Sequence, residues 1–308
     1  MTSPAFPSLH RRQWLALATT SAAGLLSAGA AVAQTSTAAA PLTLQVYNPQ
    51  DKAIFPVSSV LVTGRRDAVL IDAQFQRNDA QALVQLIRAS GKRLTTIYIS
   101  HSDPDYYFGL DVLQDAFPAA RIVATANTVA AIHASMQGKQ AYWSPILKAN
   151  APRRLVLPQV LQGSVIALEG QSIEIVGLQG PDPLRTFAWI PSLRTVAGGV
   201  VVSSGIHVWI ADTQTPASRQ AWLQTLDRIE ALQPARVVPG HFIGPAPAGT
   251  AAVAYTRGYI QAFEAEAART KGSAALAQAM KRRYPQAAED SSLELSAKAI
   301  QGEMKWPQ

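Results

Sequence analysis

The chain is organised around one stretch, Ser100-His101-Ser102-Asp103-Pro104-Asp105-Tyr106-Tyr107-Phe108-Gly109. The apolar run 94–99 before it predicts a buried strand, so the stretch is the turn that leaves this strand. It carries a His and two Asp at alternate positions, and these side chains bind metal ions or transfer protons. Such a cluster is hard to explain by packing alone, and it indicates a functional site.

The order of these residues resembles the His-x-His-x-Asp-His loop of the metallo-β-lactamase superfamily. In that loop the first and second His bind one metal ion, and the Asp and third His bind a second. His101 and Asp105 keep the family pattern, whereas Asp103 stands at the second His and Tyr106 at the third. Far along the chain, Pro239-Gly240-His241 resembles the segment that carries the last metal-binding His of the family. The resemblance therefore implies one site built from two distant segments.

Two further ligands of the family are replaced in this sequence. The middle His falls at Pro181, and the bridging Asp falls at Gly199. A zinc centre needs roughly three protein ligands for each ion, so the ligands that remain cannot hold two ions. We expect at most one divalent ion, with Zn²⁺ preferred and Mn²⁺ or Fe²⁺ as alternatives. Its predicted ligands are His101, Asp103, Asp105 and His241.

The resemblance implies hydrolysis of a small molecule that carries an ester, lactone, amide or phosphoester bond, by a metal-activated water. Asp103 or Asp105, whichever is not bound to the metal, would be the general base. Tyr106 would bind the metal, donate to a developing oxyanion or pack in the core. One alternative is a catalytically inactive binding protein of the same fold, without a stoichiometric metal. Another is metal-free acid–base chemistry by Asp103, Asp105 and His241.

Three more polar residues are weaker candidates for the site. His207 and Asp212 would restore metal ligation or orient a metal ligand. Their alternative roles are that His207 packs beside Trp209 and Asp212 caps the next helix. Asp72 follows a predicted strand and would support the loop from beneath, as an Asp does in the resembled family. Its alternative role is that of a turn residue that caps local backbone.

Strands and helices alternate on both sides of the quoted stretch. The pattern predicts strands over 195–203 and 206–211, an irregular aromatic segment over 138–158, and a capping box that starts a helix at Ser291. The two strand-rich halves resemble the αβ/βα sandwich of the metallo-β-lactamase fold. We therefore expect an α+β protein, a four-layer αβ/βα sandwich over residues 42–247, with a C-terminal helical extension over 248–308.

The N-terminal residues are typical of an export signal. Arg11 and Arg12 precede a moderately apolar segment, and Ala31-Val32-Ala33 is a small-residue cleavage site. The paired arginines favour the twin-arginine route over the Sec route. We expect a signal at 1–33, a flexible leader at 34–41, and a periplasmic or secreted protein.

Composition limits the other functional classes. The chain has no cysteine, which excludes thiolate ligands, disulfides and a cysteine nucleophile. Without the two arginines of the signal, 25 basic residues face 20 acidic ones, a balance of +5. This mild charge, without aromatic and basic residues interleaved, argues against nucleic-acid binding. We expect a small-molecule substrate and no stable membrane insertion after signal removal, and the oligomeric state stays open.

Overall fold

The structure, a computed structural model, describes residues 41–306. The predicted export signal and nearly all of the predicted leader lie outside the described residues. Within them, no helix is both long enough and apolar enough to span a bilayer.

The described residues form strands and helices in the alternating order that the sequence predicts. The strands are β1 (Thr43–Tyr47), β2 (Ser59–Thr63), β3 (Asp67–Ile71), β4 (Arg93–Ile99), β5 (Arg121–Ala124), β6 (Gln159–Val160), β7 (Val165–Leu168), β8 (Gln171–Val176), β9 (Phe187–Ile190), β10 (Thr195–Ala197), β11 (Ser203–Ser204), β12 (Arg236–Val237) and β13 (His241–Phe242). The helices are α1 (Arg77–Ala89), α2 (Pro104–Tyr107), α3 (Leu110–Ala116), α4 (Ala126–Leu147), α5 (Pro216–Ala231), α6 (Ala251–Arg269), α7 (Ser273–Arg283) and α8 (Asp290–Ile300).

Two large sheets build the fold. The first has the order β1-β2-β3-β4-β5-β6, antiparallel up to β3 and parallel from β3 onward. The second has the order β12-β10-β9-β8-β7. A short parallel pair, β11 with β13, aligns Ser203 with His241. This pair brings the segment of the last predicted ligand beside the end of the second sheet.

The fold has four layers, and alternate residues of a strand have their side chains on opposite faces of the sheet. In β3, Val69 and Ile71 belong to a cluster shared with Ile175 and Ile190 of the second sheet, so these residues lie between the sheets. Leu70 belongs instead to the cluster that includes α1, α3 and α4. A third cluster joins the second sheet to α5, α6, α7 and α8. The arrangement confirms the αβ/βα sandwich with additional C-terminal helices; the boundary at residue 248 stays a prediction.

Several local predictions are wrong. The segment predicted as irregular over 138–158 is helical as far as Leu147, because α4 continues through Gly138 and holds Pro145 in its last turn. The strand predicted over 206–211 is reduced to one bridge, between Ile206 and Ala288. Helix α8 begins at Asp290, after Glu289, with no side-chain cap, so the capping box at Ser291 does not form.

The strand predicted over 195–203 is interrupted by Gly198 and Gly199, whose φ values are 73° and 78°. A Cβ on Gly199 would lie 2.2 Å from the carbonyl oxygen of Thr186. Only glycine fits this left-handed position at such close range. The chain therefore turns here, where the sequence alone indicated a continuous strand.

Candidate active site

The base of the candidate site is a buried carboxylate that ties β3 to the turn after β4. Asp72 is fully buried at the end of β3 and accepts the backbone N–H of Ser100 at 2.8 Å. The Ser100 hydroxyl lies 2.7 Å from the other carboxylate oxygen of Asp72, Oδ2, and accepts the backbone N–H of Gly199 at 2.6 Å. The prediction that Asp72 supports the loop from beneath therefore agrees with its contacts.

Burial raises the pKa of Asp72 to about 7, against the opposing effect of the hydrogen bonds from Ser100. A folded-state pKa above the unfolded value means that the folded chain holds a proton that the unfolded chain has released. The contribution of Asp72 to stability is therefore most favourable below pH 4 and is lost as the pH rises toward 7.

We expect Asp72→Asn to flatten the pH dependence of stability between pH 4 and 7. The wild-type free energy of unfolding should fall relative to that of the variant by about 4 kcal/mol over this range, since one pKa unit corresponds to about 1.4 kcal/mol. Asn also accepts the left-handed backbone of this position, where φ is 66°. Urea unfolding at several pH values measures the difference, and parallel profiles for the two proteins would contradict it.

His241 is held at both ring nitrogens. Its Nε2 lies 2.7 Å from Oδ2 of Asp105, and its Nδ1 lies 3.2 Å from the hydroxyl of Tyr106. Burial, followed by the charges of Asp105, Asp72 and Asp103, raises the pKa of Tyr106 far above its usual value. Tyr106 therefore keeps its proton and donates it to Nδ1, which leaves the imidazole proton on Nε2 to face Asp105. The hydroxyl therefore contacts His241 in this arrangement, and its predicted role as a metal ligand stays a prediction.

His101 and Asp103 form a second imidazole–carboxylate pair. Nδ1 of His101 lies 3.3 Å from Oδ2 of Asp103 and accepts the backbone N–H of Asp103 at 3.2 Å. Asp103 precedes α2 at the capping position but does not cap the helix, because its carboxylate faces His101 and the ammonium group of Lys139. Burial would raise the pKa of Asp103, but these two partners outweigh it and hold the pKa far below its usual range.

The two pairs converge on one aromatic ring. The centroid of the Tyr106 ring lies 5.5 Å from that of His101 and 5.6 Å from that of His241, both in edge-on geometry. Tyr106 is fully buried, and a Cβ on Gly240 would lie 2.8 Å from its hydroxyl. The sequence prediction that two distant segments share one site therefore agrees with this geometry.

Two residues that the sequence did not single out also belong to this region. Lys139 of α4 donates to the carbonyl oxygen of Ser102 at 2.9 Å and lies 3.2 Å from Oδ1 of Asp103. Arg185 is buried between β8 and β9, and its charge acts on Asp103 and Tyr106. No local signal marks Lys139, because its relevance depends on the continuation of α4 past Met136.

The other two weaker candidates, His207 and Asp212, lie in different places. His207 is buried beside the C-terminal helices, where Nδ1 lies 3.0 Å from the Tyr259 hydroxyl and Nε2 lies 3.6 Å from Asp290. It contacts none of the four predicted ligands. Asp212 does not cap α5, a role that Thr215 has. It accepts the indole N–H groups of Trp209 and Trp306, each at 2.6 Å. The pKa of Asp212 is raised by desolvation and then by the charge of Asp103.

The residues present do not fit the predicted metal ion. Within residues 41–306, no group of three or more His, Asp or Glu side chains is placed to hold a metal. The four predicted ligands instead form two pairs, His101 with Asp103 and His241 with Asp105. The ammonium group of Lys139 contacts the other carboxylate oxygen of Asp103. The single ion expected from the sequence, zinc above all, stays a prediction that this arrangement does not support.

Comparison with known proteins agrees with the fold and the motif. Residues 54–241 match the model of the metallo-β-lactamase superfamily. This match covers more than half of the chain, and the chain belongs to that superfamily, whose members are typically metal-dependent hydrolases. A search of the curated proteins found no match to this chain.

Solved structures with the same fold are distant in sequence. A metallo-β-lactamase family protein from Thermus thermophilus has a TM-score of 0.58 at 16% identity, over 85% of this chain and 93% of that chain. A metallo-β-lactamase from Pontibacter korlensis has a TM-score of 0.50 at 17% identity, over 72% of this chain and 95% of that chain. These similarities show the fold of the chain and do not show its chemistry.

Proposed function

We propose that this chain hydrolyses a small molecule through acid–base chemistry by its two imidazole–carboxylate pairs. The substrate class is the one implied by the family, with an ester, lactone, amide or phosphoester bond. The observation that carries the proposal is that two imidazole–carboxylate pairs both pack against the ring of Tyr106. The imidazole nitrogen and the carboxylate oxygen are 3.3 Å apart in His101–Asp103 and 2.7 Å apart in His241–Asp105. Paired titratable groups in different environments are the arrangement that general acid–base catalysis uses.

His101 is the general base in this proposal. In the structure the Asp103 backbone N–H donates to Nδ1. We infer that in the reacting enzyme Nδ1 carries a proton and donates it to the ionised carboxylate of Asp103 instead, because a charged acceptor makes the stronger hydrogen bond. Nε2, which makes no hydrogen bond within the described residues, then has its lone pair free to accept a proton from water. The water oxygen attacks the carbonyl or phosphoryl centre as this proton moves to His101, and Asp103 stabilises the imidazolium.

His241 and Asp105 orient the bound molecule in this proposal. They hold one proton between Nε2 and Oδ2, and Tyr106 fixes the ring by donating to Nδ1. Part of the His241 side chain reaches solvent, whereas Tyr106 is fully buried. The proton that His101 takes from water is then given to the leaving group. The His241–Asp105 pair keeps its own proton and orients the bound molecule, and Tyr106 has a positioning role.

The test is hydrolysis of p-nitrophenyl acetate, γ-butyrolactone and bis(p-nitrophenyl) phosphate by natively purified protein, with metal content measured on the same sample. We expect turnover of at least one probe without a stoichiometric metal, unaffected by a chelator. Asp105→Asn should lower kcat by about 10²-fold or more, because it removes one member of the pair. Asp115→Asn, on the exposed surface of α3, is the matched control and should retain full activity.

Two results would overturn the proposal. Turnover that requires about one equivalent of zinc, manganese or iron would establish the metal-dependent mechanism predicted from the family. Absence of turnover on all probes, with small-molecule binding retained, would establish the inactive binding protein.

We also propose export by the twin-arginine route, on the basis of Arg11 and Arg12. Replacing both with lysine should retain the full-length chain inside the cell, because the translocation receptor reads the arginine pair. Fractionation of cells that express the wild type and the variant measures this, with Arg65→Lys as a control outside the signal. Equal amounts of exported wild type and variant would contradict the proposal.

A further inference from the structure

Lys139 is the cation nearest to the predicted ligands in the described part of the chain. An ammonium group has three N–H donors. One donates to the carbonyl oxygen of Ser102 at 2.9 Å and a second to Oδ1 of Asp103 at 3.2 Å. The third has no acceptor in the described residues, and 27% of the side chain is accessible to solvent. Lys139 therefore holds the loop and still has one donor for a bound molecule.

Arg185 places a second positive charge behind the same loop. Its guanidinium stacks on Trp222, 3.8 Å from the ring centroid, donates to the carbonyl oxygen of Val200 at 3.2 Å, and has Asp182 3.3 Å from Nε. These contacts fix the charge in the loop between β8 and β9, the loop in which Pro181 stands at the position of a family ligand. Arg185 is 4% exposed, so its guanidinium is held in place. Burial lowers its pKa, but an arginine side chain stays protonated in proteins.

We propose that Lys139, with Arg185 behind it, supplies the positive charge that a metal ion supplies in other members of the superfamily. Asp103 stands where the family has a His, and this extra carboxylate needs a counter-charge. Lys139 provides it through a direct contact. The free N–H of Lys139 then stabilises negative charge on a substrate oxygen; this last role rests on the proposed function, whereas the substitution for a metal does not.

The proposal has a consequence for metal affinity. A metal ion could bind Asp103 and His101 only after displacing Lys139, because the two oxygens of Asp103 face Lys139 and His101. Lys139 and Asp103 are each more than a quarter exposed, so the ammonium group can leave without unfolding the domain. Neutralising Lys139 should therefore expose a carboxylate and an imidazole for a metal ion to bind.

Equilibrium dialysis of the full chain against zinc chloride tests this inference. We expect Lys139→Met to bind about one zinc ion with a Kd about tenfold or more below that of the wild type, the scale on which groups next to metal ligands change affinity. Lys139→Arg keeps the charge and should bind zinc as weakly as the wild type. Lys148→Met, an exposed lysine just beyond the same helix, controls for loss of one surface charge.

The readout is independent of hydrolysis. If the wild type has no activity on any ester, the zinc affinities still decide this inference. It is overturned if the wild type binds one zinc ion as tightly as Lys139→Met, or if Lys139→Met and Lys148→Met bind zinc equally. Thermal melting of each variant establishes that the compared proteins are folded, and Lys139→Gln replaces the Met variant if that one is not.

Discussion

His101→Gln is expected to lower kcat on any ester that the wild type hydrolyses by about 10²–10⁴-fold, with a much smaller change in KM. The reason is that His101 has a free ring nitrogen beside an ionised carboxylate, whereas both ring nitrogens of His241 are engaged within the protein. Gln keeps a polar side chain of similar length but cannot accept a proton. Steady-state kinetics on purified protein measures the effect.

His133→Gln is the matched control for this experiment. His133 is exposed on α4, one of the elements packed near the site, and should be replaceable without loss of activity. A His101→Gln enzyme with at least half of the wild-type kcat would exclude His101 as the general base. An equal loss in both variants would indicate a general effect on the protein and would also contradict the assignment.

Gly199→Asp restores the residue type that the superfamily has at the bridging position, yet we expect it to destabilise the protein by about 3 kcal/mol or more. A Cβ would lie 2.2 Å from the carbonyl oxygen of Thr186, and the φ of 78° disfavours any side chain. The new carboxylate cannot be accommodated without moving the turn that donates to Ser100. Thermal or urea unfolding gives the loss, and zinc dialysis should show no new site.

Gly163→Asp separates the backbone effect from the steric one. Gly163 also has a positive φ, 75°, but a Cβ there would have no neighbour within 4 Å. Gly163→Asp should lower the free energy of unfolding by about 1 kcal/mol, the cost of the backbone conformation alone. If the two variants lose the same stability, close packing at Gly199 is not the reason that this position lacks a side chain.

The architecture and the central pair of segments could be predicted from the sequence because they depend on patterns of short range. Short apolar runs predicted β2, β3 and β4, and the composition of the loop marked His101, Asp103 and Asp105. His241 could be joined to them only through the resemblance to the family. The structure places the ring of His241 5.6 Å from that of Tyr106, between their centroids.

The partners of these residues could not be predicted, because they depend on contacts between distant elements. Lys139 lies in a segment whose Gly138 and Pro145 suggested a loop, yet both residues are accommodated within α4. The turn at Gly199 results from its close approach to Thr186, and no sequence pattern marks that approach. No sequence pattern indicated that each imidazole would have a carboxylate partner of its own.

The contact between Trp306 and Asp212 has a practical consequence. The indole N–H of Trp306 donates to the Asp212 carboxylate at 2.6 Å, and the backbone carbonyl of Trp306 accepts from Gln214 at 2.7 Å. An affinity tag fused after Gln308 would begin two residues beyond this contact. A tag placed there would add chain directly beside these two hydrogen bonds, so recombinant samples intended for stability measurements should carry a cleavable tag.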